Sequence, residues 1–224
     1  MRRAKGLIVA IDGPSGAGKS TVGRALADAL RYTYLDTGAM YRAFAVKALE
    51  LGIALDDEAA LAAAAAHTKI AFDETGKHVL LDGRDVTDAI RSREATMAAS
   101  AVARLSGVRR EMVRRQQELG EQGGVVLDGR DIGTVVFKDA EAKFYLDAAA
   151  EKRAQRRVDE IRAKGLGADY DTVLAEIRAR DHQDMNRTDS PLAQSIDAVY
   201  IDTTELTTGQ VIDRLAALTR ERMR

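Results

Sequence analysis

The stretch Leu7-Ile8-Val9-Ala10-Ile11-Asp12-Gly13-Pro14-Ser15-Gly16-Ala17-Gly18-Lys19-Ser20-Thr21 decides the fold. From Gly13 to Ser20 it fits G-x-x-x-x-G-K-[ST], the phosphate-cradling loop. Leu7–Ile11 is a short apolar run of strand type, and Thr21-Val22-Gly23-Arg24-Ala25-Leu26 opens a helical pattern, so the loop stands between a strand and a helix as its chemistry requires. Glycines let successive backbone N–H groups turn toward phosphate oxygens, and the helix N-terminus adds partial positive charge. Gly13, Pro14, Ser15, Gly16, Ala17, Gly18, Lys19, Ser20 and Thr21 are therefore expected to hold a nucleoside triphosphate. Lys19 would reach the outer phosphates, and the Ser20 hydroxyl would meet the Mg²⁺ carried by ATP.

The rest of the chain extends this pattern. Strand-like runs at Tyr32–Leu35, Val125–Asp128, Lys143–Asp147 and Ala198–Asp202 alternate with helical ones, which predicts an α/β fold with a five-stranded parallel sheet and helices on both faces. Between Lys69 and Val86 the pattern changes. Ile70–Phe72, the turn Glu74-Thr75-Gly76-Lys77, Val79–Leu81, Asp82-Gly83 and Arg84–Val86 read as a small antiparallel meander inserted into that core. Asp56 is expected to cap the alanine-rich helix after it, which runs through Ala59–Ala66. Arg-rich helical segments follow at Arg93–Arg104 and Val108–Glu121. Further on, the helix Glu151–Arg162, the break Lys164-Gly165-Leu166-Gly167 and the helix Asp171–Asn186 have the pattern of a mobile lid over phosphates. The expected division is core with phosphate loop at 1–38, a monophosphate-binding region with the meander at 39–102, core at 103–152, lid at 153–187 and core at 188–224.

Composition narrows the chemistry. The chain has 224 residues, 46% hydrophobic and 31% charged, enough for one domain with insertions. With a net charge of −1, no global field favours nucleic acid or a membrane, and any anion site must be a local cluster. The absence of cysteine excludes disulfides, thiolate nucleophiles and Cys-type zinc sites. His67, His78 and His182 have no metal-ligand spacing. Met1–Lys5 is basic like the start of a signal peptide, but the apolar run after it is short and leads straight into the phosphate loop. A cytoplasmic monomer that binds neither nucleic acid nor membrane is expected.

Three expected strands end in polar clusters, at Asp12–Ser20, Asp36–Arg42 and Asp128–Asp131, which a parallel sheet would bring to one edge. The acidic residue after the third strand, Asp128, stands where phosphate-loop proteins help hold Mg²⁺ through its water shell. Asp-Gly-Arg-Asp occurs at both Asp82–Asp85 and Asp128–Asp131, and the first copy is read as turn chemistry.

Together, Asp12–Lys19, Asp36-Thr37-Gly38-Ala39-Met40-Tyr41-Arg42, Asp128–Phe137, Arg180-Asp181 and Asp184–Arg187 resemble bacterial cytidylate kinases. The resemblance covers nearly the whole chain and is least clear in Asp56–His67 and after Thr203. It implies transfer of the ATP γ-phosphoryl group, with Mg²⁺, to CMP or dCMP. It also implies a catalytic group of Lys19, Asp128, Arg130 and Arg187. The acceptor phosphate would be gripped by Arg42, Arg130 and Arg187, with Thr37 in the same acceptor site. Cytosine would be read by Ser100, Arg109 and Asp131, and Arg180 and Asp184 would lie on the sugar side. Arg153 and Arg157 would be lid contacts to the donor. Replacing Asp131 is expected to change the choice of base and to leave stability nearly unaltered.

Other readings fit less of the chain. Asp73-Glu74-Thr75-Gly76 has the D-x-x-G form of switch GTPases but sits in a hairpin turn, and no Asn-Lys-x-Asp segment is present to read guanine. Leu105-Ser106-Gly107 matches only a fragment of the transport-ATPase motif. A uridylate or adenylate kinase, or a nucleotide-binding module without turnover, is the alternative.

Overall fold

The computed structural model describes residues 3–73 and 75–223; Met1, Arg2, Glu74 of the expected meander turn and Arg224 lie outside the described residues. Five strands form one parallel sheet: β1 (Ile8–Asp12), β2 (Thr33–Asp36), β6 (Val125–Gly129), β7 (Ala142–Asp147) and β8 (Val199–Asp202), in the order β2-β6-β1-β7-β8. Every residue of β1 and β6 is buried, as expected for near-continuous apolar runs covered on both faces. On one face Val9, Ile11, Phe144 and Ile201 meet Leu26 of α1 (Lys19–Leu30) and Leu215 of α8 (Thr208–Met223). On the other, Ile8, Ala10 and Leu127 pack with Ile132, Val136 and Phe137.

The second sheet is antiparallel: β3 (Ile70–Phe72), β4 (Val79–Leu81) and β5 (Arg84–Asp85), with Asp82 and Gly83 both at positive φ in the turn between the last two. It shares a core with α2 (Thr37–Glu50), α3 (Glu58–His67), α4 (Arg93–Val102) and α5 (Ser106–Gly120), built on Phe44, Leu61, Leu81, Val102 and Met112. The α3 cap is Asp57 and not Asp56: the Asp57 carboxylate accepts from Ala60 N at 3.0 Å, one residue later than the acidic run suggested. Helices α6 (Ala150–Ala163) and α7 (Tyr170–Asn186) pack on each other through Ala154, Val158, Val173 and Ile177.

The pairing that matters most for function lies at the carboxyl ends of β2, β6 and β1. Asp36 is level with Asp128, and Asp12 with Gly129, so the three polar clusters do meet at one sheet edge.

Candidate active site

The phosphate loop leaves β1 at Gly13, whose φ of 144° and closeness to the Leu146 carbonyl, 1.9 Å from any added Cβ, admit only glycine. Gly18, at φ 88°, starts α1 without a side-chain cap, so the first-turn N–H groups there have no side chain to satisfy them. Lys19 is buried and donates to the Pro14 carbonyl at 2.6 Å, curled over its own loop. Burial, and next the charge of Arg130, push its ammonium down to about 7, while Asp128 and Asp12 pull the other way. Ser20 Oγ donates to Asp128 Oδ2 at 2.9 Å, and the Tyr34 hydroxyl donates to Asp128 Oδ1 at 2.6 Å. Burial and then Asp36 raise the Asp128 carboxyl above its ordinary range, against the pull of Lys19 and these two donors. Thr21 is exposed on α1.

An alcohol and a carboxylate side by side at a helix N-terminus are hard oxygen donors suited to Mg²⁺. Among the described residues no group of three or more acidic or histidine side chains could hold a metal unaided. Mg²⁺ in such a setting takes most of its shell from substrate phosphates and water.

Facing the loop is a chain of arginines and carboxylates. Arg42 pairs with Asp36 at 3.0 Å, and Asp36 also caps α2 by accepting from Ala39 N. Both line a small cavity of about 50 Å³ with Arg24, Phe72 and Arg91. Arg130 Nε donates to Asp184 Oδ2 at 2.9 Å, Arg187 Nη1 lies 3.5 Å from Asp184 Oδ1, and Arg109 Nη2 donates to Asp131 Oδ2 at 2.5 Å. Burial disfavours charge on Asp184, yet Arg130, Arg180 and Arg187 hold its carboxyl below the usual range. Arg180 is pushed down to about 10 by burial and by Arg130. Nε of Arg109, Nε of Arg180 and Nη2 of Arg187 are buried with no hydrogen-bond partner. Buried unpaired donors on cations are costly in a closed core and are what the acceptor atoms of a bound ligand would satisfy.

Asp131 and Arg109 are almost fully enclosed, with side chains 8% and 4% exposed. Asp131 Oδ2 is taken by Arg109, and Arg187 Nη2 stands 3.8 Å from Oδ1, beyond hydrogen-bond length. The carboxylate thus keeps one oxygen for a further donor. The enclosure argues against the expectation that removing Asp131 would scarcely affect stability. Truncation would strand the buried Arg109 guanidinium, a change that typically costs about 3–5 kcal/mol.

Some expected residues have other engagements. Thr37 Oγ1 donates to the Asp128 carbonyl at 2.7 Å. Ser100 receives the Gln183 amide at 3.2 Å on both its carbonyl and its hydroxyl. Arg157 points outward to Glu160 at 3.2 Å, 54% exposed, whereas Arg153 is buried and donates to Ser15 O at 3.0 Å and Asp181 Oδ2 at 2.6 Å.

Tyr34 and Gln183 belong to this cluster and were not singled out from sequence, while Asp12 and Asp181 stood there only inside quoted motifs, with no role of their own. Asp12 Oδ1 and Oδ2 accept from Ile132 N at 2.8 Å and Gly133 N at 2.7 Å, pinning the short π-helical turn Ile132–Val136 beside Asp131. An aspartate placed directly before the loop glycine was the available signal.

Against known proteins, the family model for cytidylate kinase matches residues 9–221. A cytidylate kinase of Syntrophotalea carbinolica is 51% identical over 219 residues, spanning 96% of this chain and 93% of the relative. One of Bacillus velezensis is 46% identical over 222 residues, 98% of this chain and 99% of its own. A solved shikimate kinase from Bacteroides thetaiotaomicron overlays with a TM-score of 0.49 at 13% identity, covering 96% and 98% of the two chains.

Proposed function

The chain belongs to the cytidylate kinase family, and from that premise we propose how its own residues move the γ-phosphoryl group of ATP onto CMP. The observation that carries the choice of acceptor is the enclosed Asp131 with one oxygen hydrogen-bonded to Arg109 and the other facing Arg187 at 3.8 Å without a hydrogen bond. Cytosine offers an amine at its 4-position and acceptors at N3 and O2; a carboxylate accepts from the amine and a guanidinium donates to the acceptors. Uracil presents a carbonyl in place of the amine and would leave both sides mismatched.

The donor enters against the N–H groups of Gly13–Thr21, and Lys19 leaves the Pro14 carbonyl for the β- and γ-phosphates. Its depressed pKa supports this role, because a polyanion beside it offsets both the burial and the repulsion from Arg130. Arg42, Arg130 and Arg187 hold the CMP phosphate, with Thr37 at the same strand end, and Arg180 and Asp184 meet the sugar. A CMP phosphate oxygen is already ionised at neutral pH, so no general base is needed. It attacks Pγ in line, the bond from Pγ to the bridging oxygen breaks, and ADP leaves with its charge balanced by Lys19 and Arg130. Ser20 and Asp128 would hold Mg²⁺, directly and through its water, and the chemistry such an ion would supply when bound is neutralisation of phosphate charge.

The α6–α7 hairpin is proposed as the lid, hinged at Gly165 and Gly167, with Arg157 swinging from Glu160 to the donor as it closes. Hydrogen exchange should protect this hairpin only when both nucleotides are bound. We further propose that the chain works as a cytoplasmic monomer and that dCMP is a second acceptor. A coupled ADP-release assay with CMP, dCMP, UMP and AMP tests the function. CMP and dCMP should be phosphorylated and AMP should not; ATP binding without turnover on any of them would sink the kinase reading.

A further inference from the structure

Tyr34 carries a contact that the phosphate-loop pattern does not ask for. Its hydroxyl takes one oxygen of Asp128 at 2.6 Å while the Ser20 hydroxyl takes the other at 2.9 Å, so the carboxylate is held at both ends. The tyrosine is itself fixed. The residue is buried, the Arg24 guanidinium lies 4.7 Å over the ring centroid, and position 23 in the interior of α1 is glycine. A Cβ there would come within 2.8 Å of the ring. Glycine inside a helix is unfavourable relative to alanine, so this close approach is maintained against local preference. Packing alone would be served by phenylalanine. The hydroxyl instead meets a carboxylate whose ionised form burial and Asp36 both disfavour.

We propose that Tyr34 is a positioning residue for the metal site. It fixes the rotamer of Asp128 so that Oδ2 stays turned to Ser20 and to the water shell of the Mg²⁺ that arrives with the donor. Tyr34 itself touches neither nucleotide nor metal in this scheme. Without its hydroxyl, Asp128 Oδ1 lies buried without that donor, and the side chain can turn away from Ser20. The proposal rests on the metal role of Ser20 and Asp128 given above.

The test is Tyr34→Phe, which keeps the ring and its packing on Gly23 and Arg24. Mn²⁺ binding to the enzyme–ADP complex is read by electron paramagnetic resonance, and ADP binding with a chelator present by calorimetry. Mn²⁺ affinity should fall about tenfold, the lower end of what outer partners of metal ligands are worth, with chelated ADP affinity within about twofold of the parent. In an Asp128→Asn background the same substitution should change Mn²⁺ affinity less than about twofold, since the coupling runs through that carboxylate. Unchanged Mn²⁺ affinity in Tyr34→Phe overturns the proposal. An equal loss of both affinities also overturns it, because that is what a merely structural tyrosine would give. Failure of the parent enzyme to bind Mn²⁺ together with ADP would instead refute the metal role of Ser20 and Asp128.

Discussion

Arg153 on α6 and Asp181 on α7 form a buried ion pair, 2.6 Å from Nη2 to Oδ2, and the same guanidinium donates to the Ser15 carbonyl at 3.0 Å. One side chain therefore ties the helical hairpin to the phosphate loop. Its neighbour Arg157, one turn on, is exposed and paired only with Glu160 of its own helix.

The two arginines should separate cleanly in mutagenesis. Arg153→Ala leaves Asp181 buried and uncompensated, and urea unfolding should show a loss of about 3–5 kcal/mol. Arg157→Ala removes only an exposed pair and should stay within about 0.5 kcal/mol of the parent. If Arg157 meets the donor on closure, that variant still loses about tenfold in kcat/KM for ATP, or about 1.4 kcal/mol. Parent-like kinetics in Arg157→Ala would remove it from the donor site.

Lys19→Met should lose about 10³–10⁵ in turnover, the worth of comparable charge-stabilising groups. Its unliganded form should melt no lower than the parent, because the substitution removes a buried ammonium that the surroundings already disfavour. Turnover within about tenfold of the parent would contradict the charge role.

Asp12 gives a dependence on pH. Burial raises its carboxyl to about 7, against the pull of the Gly133 and Ile132 amides. Between about pH 4 and 7 the native protein holds a proton that the unfolded chain has released, so stability from this group is full below about pH 4 and is lost as the pH rises through 7. Across that window the parent should lose stability relative to Asp12→Asn in urea titrations. A difference that stays flat with pH would contradict the assignment.

Where the sequence was legible, the local signal was strong. The glycine pattern from Gly13 to Ser20 and the apolar runs of β1 and β6 mark the sheet and the turn that leaves β1 for α1, because buried parallel strands and phosphate loops leave little freedom in residue type. The Asp82-Gly83 turn was equally plain. The illegible parts depend on contacts between segments far apart in the chain. Nothing near Tyr34 says that its hydroxyl will meet Asp128, 94 residues away. Arg153 and Arg157 look alike in sequence, and only packing against Asp181 and Ser15 buries one and exposes the other. The short π-helical turn after Asp131 forms because Asp12 supplies two acceptors to its first amides, a tertiary bond with no local propensity behind it. The Asp56–Asp57 shift is a smaller matter, two adjacent caps of equal quality decided by one residue of helix register.

The most direct measurement of the central claim is the ratio of kcat/KM for CMP to that for UMP in the parent and in Asp131→Asn. The asparagine keeps the side chain's shape and can still accept from Arg109 through its carbonyl, but its amide would then replace the other oxygen with a donor. The mismatch with the cytosine amine is worth about 1–3 kcal/mol, so the ratio should fall by roughly ten- to a hundredfold, with CMP activity lost and UMP activity held or gained. A ratio that survives the substitution in a folded variant would contradict the claim that this carboxylate reads the base.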